Sequence, residues 1–540
     1  MSSLIKQYWG KINGINGLIL IVYTVFVLLF SLIVHKWVNF AYFCCFFCLV
    51  LLFSLAFCVF AVKTLSGISI CITDRHDKRN IPNYIFRIAL FIFPLIVLSI
   101  YYCAYYPGGF NGDSIYQFLQ AETNNYNDWH PVIHTLLFFK LPLLISGGRV
   151  GSIVLFQIFC LSAVIGYALN VLYSYTNIKY TLISAMFVLL NPYIGFLAMY
   201  PWKDIPFAMG AVLLVSYSLK IYLSDGEWIN RPLNFILFTA IASITTLIRH
   251  NAMLFTIPLV IAVFFCVKRV KGISMCIALI CLCLFIKFPF YSAAGVERPN
   301  ARQVEVLGIP LNVIGAVVTY SPELTDDETK EFAYSFAPKE VWEENYRYGR
   351  LNKVKWNEEA NMDIVEEYGF QNVISMMFRC FRESNEHAVI ALFKTTETPY
   401  CISDKYFSGA LGIPPEIQEN DYNIIENGNR SLQDILMGYK NIVSGAVPHI
   451  FMYLGVVHFF LIAAILSKTR NFIKEWKKSI FILPVFTYNF ISNLMMTDIE
   501  DAPRFFFYIY LLLPIYILFI FGEKKCSNTK HHRPDSNISK

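Results

Sequence analysis

The chain has 540 residues, of which 56% are hydrophobic and 16% aromatic, and only 15% are charged; an ordinary soluble domain carries about 25% charged residues. With several apolar runs near the ~20 residues that cross a bilayer core, this excludes a single water-soluble domain and predicts an all-α polytopic membrane protein of about 12 spans. The net charge of +6 is unevenly placed, since residues 291–443 carry 24 acids against 14 bases and the remainder 30 bases against 14 acids.

The first apolar run, 17–34, follows Lys6 and Lys11 and has no small-residue cleavage site after it, so it reads as an uncleaved span. A second span is expected over 38–62. The loop 63–83 holds Lys63, Arg75, Lys78 and Arg79 and is therefore placed on the cytoplasmic side. A third span over 84–104 leads to the outer face and to the stretch YYPGGFNGDSIYQFLQAETNNYNDWHPVIH, residues 105–134. Segment 131–146 is apolar but short and bounded by prolines, which fits an interfacial helix better than a span. Spans are then expected at 150–172, 181–199 and 205–223. Residues 234–267 are either one tilted helix or two short ones broken at Arg249-His250-Asn251, and the flanking bases favour two. A span over 273–290 precedes the acidic part.

Residues 291–443 are long enough for one folded domain and too aromatic for a disordered tail. They are expected outside, mainly α or α+β, with no basic face suited to nucleic acid. Cys380 and Cys401 lie in this part and read either as a disulfide or as two free thiols. Three last spans are expected at 444–466, 479–495 and 505–521, with a basic cytoplasmic tail from residue 523. Both termini are thus placed in the cytoplasm. No internal repeat is present, which argues against a transporter built from duplicated halves.

This topology gathers polar residues on one face: Asp113, Asp128, His130, Lys203, Asp204, Arg249, His250, Arg298, Arg302 and Arg504. Ionisable groups at membrane depth are costly, so a cluster is a functional hypothesis. Each has a plainer reading as well. Asp113 alone fits a solvated turn acid, Asp128-Trp129-His130-Pro131 an interfacial anchor, and Lys203-Asp204 an exposed pair. His130 and His134 are four residues apart, but HPVIH lacks the glutamate of a zinc-protease helix. Arg249 interrupts an otherwise apolar run, and phosphate binding explains an arginine there. A sugar presented at an outer face on a polyprenyl phosphate would need a carboxylate base for the acceptor and cations for the departing phosphate. Asp113 suits the first role, and Arg249 with Lys203 or His250 the second. Tyr105, Tyr106, Tyr116 and Trp129 are candidates to stack on sugar rings.

The succession PGGFNGDSIYQ, DWHP, PWKD and LIRHN resembles the GT-C superfamily of polytopic glycosyltransferases, and more narrowly a bacterial membrane-protein family of uncharacterised function placed with it. The similarity runs from about residue 84 to 310 and more loosely to the end. It implies a GT-C-like core over 84–290, a catalytic outer loop over 105–149, an extracytoplasmic domain over 291–443 and two extra spans in 1–83. It also implies Asp113 as general base, Asp204 as second acid and Arg249 as donor-phosphate ligand. Asp128, Trp129, His130, Lys203, His250 and Arg302 are expected to bind substrate. Ser114 stands where several GT-C enzymes have a second acid, so transfer without a divalent metal or other cofactor is expected. The expected partners are a polyprenyl-phosphate-linked sugar, an envelope glycan, lipid or protein acceptor, and membrane lipids. The rival readings are a transporter or lipid flippase and a non-catalytic envelope-assembly protein.

Overall fold

The computed structural model describes residues 70–72, 81–298, 303–383, 385–396, 414–446, 476–477, 480–495, 498, 502–505 and 507–524. The expected spans 17–34 and 38–62, nearly all of 444–466, and Arg302 lie outside these residues. The described chain is mostly helical. Four of its helices are long and apolar enough, by length and composition, to cross a membrane.

The first, α1 (Ile81–Ala104), ends where Pro107 and two glycines make helix impossible to continue. Gly108 has φ +121°, a conformation that side chains rarely adopt, and a Cβ there would meet Val154 Cγ2 at 2.4 Å and the Met199 carbonyl at 2.9 Å. The turn is therefore packed directly against the neighbouring helix. Gly108→Ala is expected to destabilise the fold by about 1–3 kcal/mol, as overpacked cores do, read as a lowered thermal unfolding midpoint of the purified protein.

Helix α2 (Gly112–Thr123) begins at Asn111, whose extended backbone and side-chain oxygen accepting from Ser114 N at 3.3 Å make it the N-cap. It ends on Asn124 in the left-handed conformation. The apolar segment Val132–Ser146 forms a 15-residue helix, α3, with a π-helical turn at Thr135–Lys140. This agrees with the expectation of a helix too short to span. Helix α4 (Gly151–Tyr175) packs along α1.

The expected span 181–199 is not continuous. Helix α5 (Ile178–Leu189) stops before Asn191-Pro192, where Asn191 is extended and caps Tyr193 N at 3.0 Å, and a short turn Pro192–Leu197 follows. Proline at the first helical position starts a new helix and disfavours α backbone in the residue before it. Next come α6 (Asp204–Leu223), α7 (Pro232–Leu247) and α8 (Met253–Phe264). The 234–267 stretch is thus two helices parted at Arg249–Asn251. At 1.5 Å per residue they are about 24 and 18 Å long. The following helix α9 runs Arg269–Phe285 and continues through a π-helical turn to Ala293.

A second core, between Val304 and Ala391, is separate from the helix bundle. It is built on α10 (Gly308–Tyr320), α11 (Phe370–Glu383) and α12 (Asn385–Thr396) around fully buried Trp342 and Tyr346. Cys380 is a buried free thiol in it, and Cys401 lies outside the described residues. The segment 291–443 does not pack as one body. Ile424 and Leu436 belong to the bundle core, and Phe110 N donates to the Glu416 carbonyl while Gln418 N donates to that of Phe110, both at 2.8 Å. Helix α13 (Arg430–Ala446) lies against α1.

Helices α14 (Leu483–Leu494) and α15 (Phe507–Phe521) complete the bundle; α15 is buried along nearly its whole length and packs on α6. One departure from an all-α chain is a parallel pair of three-residue strands, β1 (Ile70–Ile72) with β2 (Gly522–Lys524), in the register Ile70↔Gly522. It joins the loop before α1 to the segment after α15.

Candidate functional site

A cavity of about 450 Å³ opens where one end of the bundle meets the second core. Its bundle side carries Asp113, His130, Lys203, Arg249, His250 and Arg504. Each is placed by a break in regular structure.

Asp113 stands in the first turn of α2, where the helix N-terminus favours an acid. The Asn111 side chain that caps this turn also accepts from Trp202 Nε1 at 3.0 Å, tying α2 to the turn before α6. The Asp113 carboxylate is one-third exposed. Arg504, in the short turn Ala502–Phe505 before α15, donates from Nη1 to Asp113 Oδ2 at 2.9 Å. Burial pushes the Asp113 carboxyl up, but the charges of Arg504 and Lys203 outweigh it and hold the group well below the usual carboxylate range.

His130 Nε2 lies 4.0 Å from Asp113 Oδ1, and Lys203 Nζ lies 3.2 Å from His130 Nδ1. Burial and the Lys203 charge together push the imidazole down to about 3, so it is neutral at physiological pH. A lysine ammonium only donates, which makes Nδ1 the acceptor and leaves the ring proton on Nε2, facing Asp113. Lys203 itself is pushed down to about 8 by burial, with Asp113 acting in the opposite direction.

Arg249 reaches the cavity from the α7–α8 break although it is only 2% exposed. Its Nη1 donates to Asp204 Oδ1, and its guanidinium carbon sits 4.3 Å from the Phe505 ring centroid. Asp204 is 1% exposed and lies behind Arg249 rather than on the cavity wall. Asp128 is likewise withdrawn, pairing with Lys287 Nζ at 2.8 Å. His250 Nε2 lies 3.1 Å from the carbonyls of both Asp128 and Trp129, where a ring N–H donates to them and holds that loop. Trp129 lines the cavity. Arg298 lies over the Phe288 ring and is not on the wall.

The residues expected from sequence are therefore sorted by depth. Asp113, Trp129, His130, Lys203, Arg249 and His250 share the cavity; Asp128 and Asp204 support it from behind. Arg504, grouped with them by topology alone, is the direct partner of the proposed base. The opposite wall, with Glu305, Asn352, Lys355 and Trp356, had no signal in the sequence, because nothing in QVEV or NKVKWNEE distinguishes a cavity wall from an exposed turn. Among the described residues no three His, Cys, Asp or Glu side chains gather as a metal-ligand group.

The wall thus presents four cations (Lys203, Arg249, Lys355 and Arg504) against two carboxylates (Asp113 and Glu305). Such a surface receives an anion next to an ionised carboxylate. No family model, curated protein or solved structure matches the chain.

Proposed function

We propose that the protein is a GT-C-type membrane glycosyltransferase that moves a sugar from a polyprenyl-phosphate donor to an envelope acceptor, with the cavity on the extracytoplasmic side. The observation that carries this reading is Asp113 facing the same cavity as Arg249, Arg504 and Lys203. Membrane embedding is supported by α1 and α9, whose outward sides expose Ile85, Ile92, Ile96, Ile277, Ile280 and Leu284 along helices of membrane-crossing length. Continuous apolar surface of that kind is unfavourable in water and favourable in hydrocarbon.

In the reaction, Asp113 takes the proton of an acceptor hydroxyl as its oxygen attacks the anomeric carbon. The bond from that carbon to the phosphate oxygen breaks, and the polyprenyl phosphate leaves with one more negative charge. Arg249, Arg504 and Lys203 offset that charge. Arg504 has a double part: its ion pair keeps Asp113 ionised and weakly basic in the empty site. A bound phosphate competes for the guanidinium and brings its own negative charge, and both effects raise the basicity of Asp113 when donor is present. Neutral His130 turns its Nε2–H toward this group from 4.0 Å, beyond direct hydrogen-bond reach. Asp204 acts as a positioning residue that aims Arg249.

Membranes containing the full chain, supplied with polyprenyl-phosphate-linked radiolabelled glucose, galactose, mannose or N-acetylglucosamine, are expected to move label from lipid into delipidated envelope material. Label that stays in the lipid fraction with all four donors overturns the reading, and label that only changes leaflet supports a flippase.

Donor affinity is also expected to depend on pH through Lys203. A lysine pushed down to about 8 is charged below that pH and neutral above it. The donor phosphodiester does not titrate in this range, so its affinity should hold from pH 6 to 7.5 and fall by up to about tenfold between pH 8 and 9. Lys203→Arg should flatten that limb in a binding titration, and an unchanged limb in the variant assigns it to another group.

A further inference from the structure

The cavity wall opposite Asp113 takes no part in the chemistry above, yet it is built from a different body of the chain. Trp356 is 55% exposed, whereas the neighbouring aromatics Trp342 and Tyr346 are buried in the second core. Its indole packs edge-to-face against that of Trp129 from the bundle, with ring centroids 6.0 Å apart and planes at 71°. Lys355 Nζ lies 4.7 Å from the Trp356 ring centroid and donates to Glu305 Oε1 at 2.7 Å, so one buried lysine fixes both the indole and a carboxylate at the cavity. Asn352, one helical turn before Trp356, adds an amide to the same wall.

An indole left open to a cavity, beside a carboxylate and an amide, fits a pyranose ring. The C–H face of the sugar covers the indole, and planar polar side chains take its hydroxyls in pairs. We infer that Trp356, with Trp129 packed edge-on beside it, forms the aromatic floor of a carbohydrate subsite, with Glu305 and Asn352 as hydrogen-bonding partners, that seats a pyranose next to Asp113. The inference deepens the glycosyl-transfer reading and rests on it for the identity of the attacking hydroxyl, but sugar binding is measurable without transfer. The pyranose belongs either to a free acceptor saccharide or to the lipid-linked donor. Arg249, Arg504 and Lys203, which hold phosphate, come from the bundle side next to Asp113, and Lys355 on the opposite wall is paired with Glu305, which leaves that wall to the acceptor.

The test uses the full chain in nanodiscs, titrated in one arm with chitobiose, maltose, cellobiose and mannobiose, and in the other with polyprenyl phosphate with and without a linked sugar. At least one disaccharide is expected to bind the wild type. Trp356→Ala should weaken it by about tenfold, the scale of one lost aromatic contact, and Trp356→Phe should retain most of the binding. Polyprenyl phosphate binding should be unchanged in both variants, which reports an intact fold. If Trp356→Ala instead lowers only the advantage of the sugar-linked lipid over the bare lipid, the subsite holds the donor sugar. If neither arm responds to Trp356→Ala, or no saccharide or sugar-linked lipid binds beyond bare lipid, the subsite is overturned. Saccharide binding that depends on Trp356 in a protein that transfers no sugar keeps the subsite and removes the transferase reading.

Discussion

Asp113→Asn should reduce sugar transfer by about a thousandfold, within the 10²–10⁴ that a positioned general base contributes, while donor binding persists. An amide has nearly the shape of the carboxylate but does not accept the acceptor's proton. The Arg504 guanidinium, 2.9 Å from Asp113 Oδ2 in the wild type, loses its ionic partner in the variant. The cavity then carries one more uncompensated positive charge, so the affinity for an anionic donor should stay level or rise. That opposite movement of rate and affinity separates a base from a binding residue. The fold should tolerate the change, since Asp113 is one-third exposed in a first helical turn and loses a helix-terminus contact of about 0.3–1 kcal/mol together with one partly exposed ion pair, worth about 0–1 kcal/mol. Transfer rate and donor Kd measured on the same preparation decide the matter. A variant that keeps a tenth or more of the wild-type rate removes Asp113 from the chemistry. A flippase would keep moving lipid in vesicles without acceptor, and an assembly scaffold would keep its cellular phenotype.

How much of this site was legible before the structure depends on which residues announce themselves locally. The turn PGGFNG and the acid after it are visible because Pro, Gly and Asn carry their conformational preferences with them, and Asn111 caps α2 as such a residue should. Arg249 is visible because a charge in an apolar run is costly anywhere. The pairing of Arg504 with Asp113 spans 391 positions, and no spacing rule reaches that far. Asp204 shows the converse limit. Its place at the start of α6 is readable, but which of two nearby acids faces the cavity depends on packing, and the structure buries it under Arg249. Composition misleads in two other places. The run 181–199 is apolar on average, and that average hides the helix stop at Asn191-Pro192. The acidity of 291–443 reports solvent contact, not which core a segment joins. Ile424 and Leu436 therefore return to the bundle within a stretch that reads as one outer domain.

The placement of Asp204 leads to the second large effect. Arg249→Met leaves a carboxylate that is 1% exposed without its cation, and breaking a buried pair from one side costs about 3–5 kcal/mol. The single variant should therefore unfold well below the wild-type temperature, and its weakened donor binding would be ambiguous. The double variant Arg249→Met with Asp204→Leu removes both charges, and replacement of a buried ion pair by apolar side chains of similar size is often neutral or stabilising. Its thermal midpoint should return most of the way to wild type. Donor affinity should not return, because the guanidinium that faces the cavity is still missing. Recovery of donor binding together with stability would make the pair purely structural and leave the phosphate to Arg504 and Lys203. Asp204→Asn tests the other half: as a positioning residue its loss should leave transfer within about tenfold of wild type under conditions where the protein stays folded, much less than a lost general base costs. A loss equal to that of Asp113→Asn, with donor affinity intact, would return Asp204 to the chemistry.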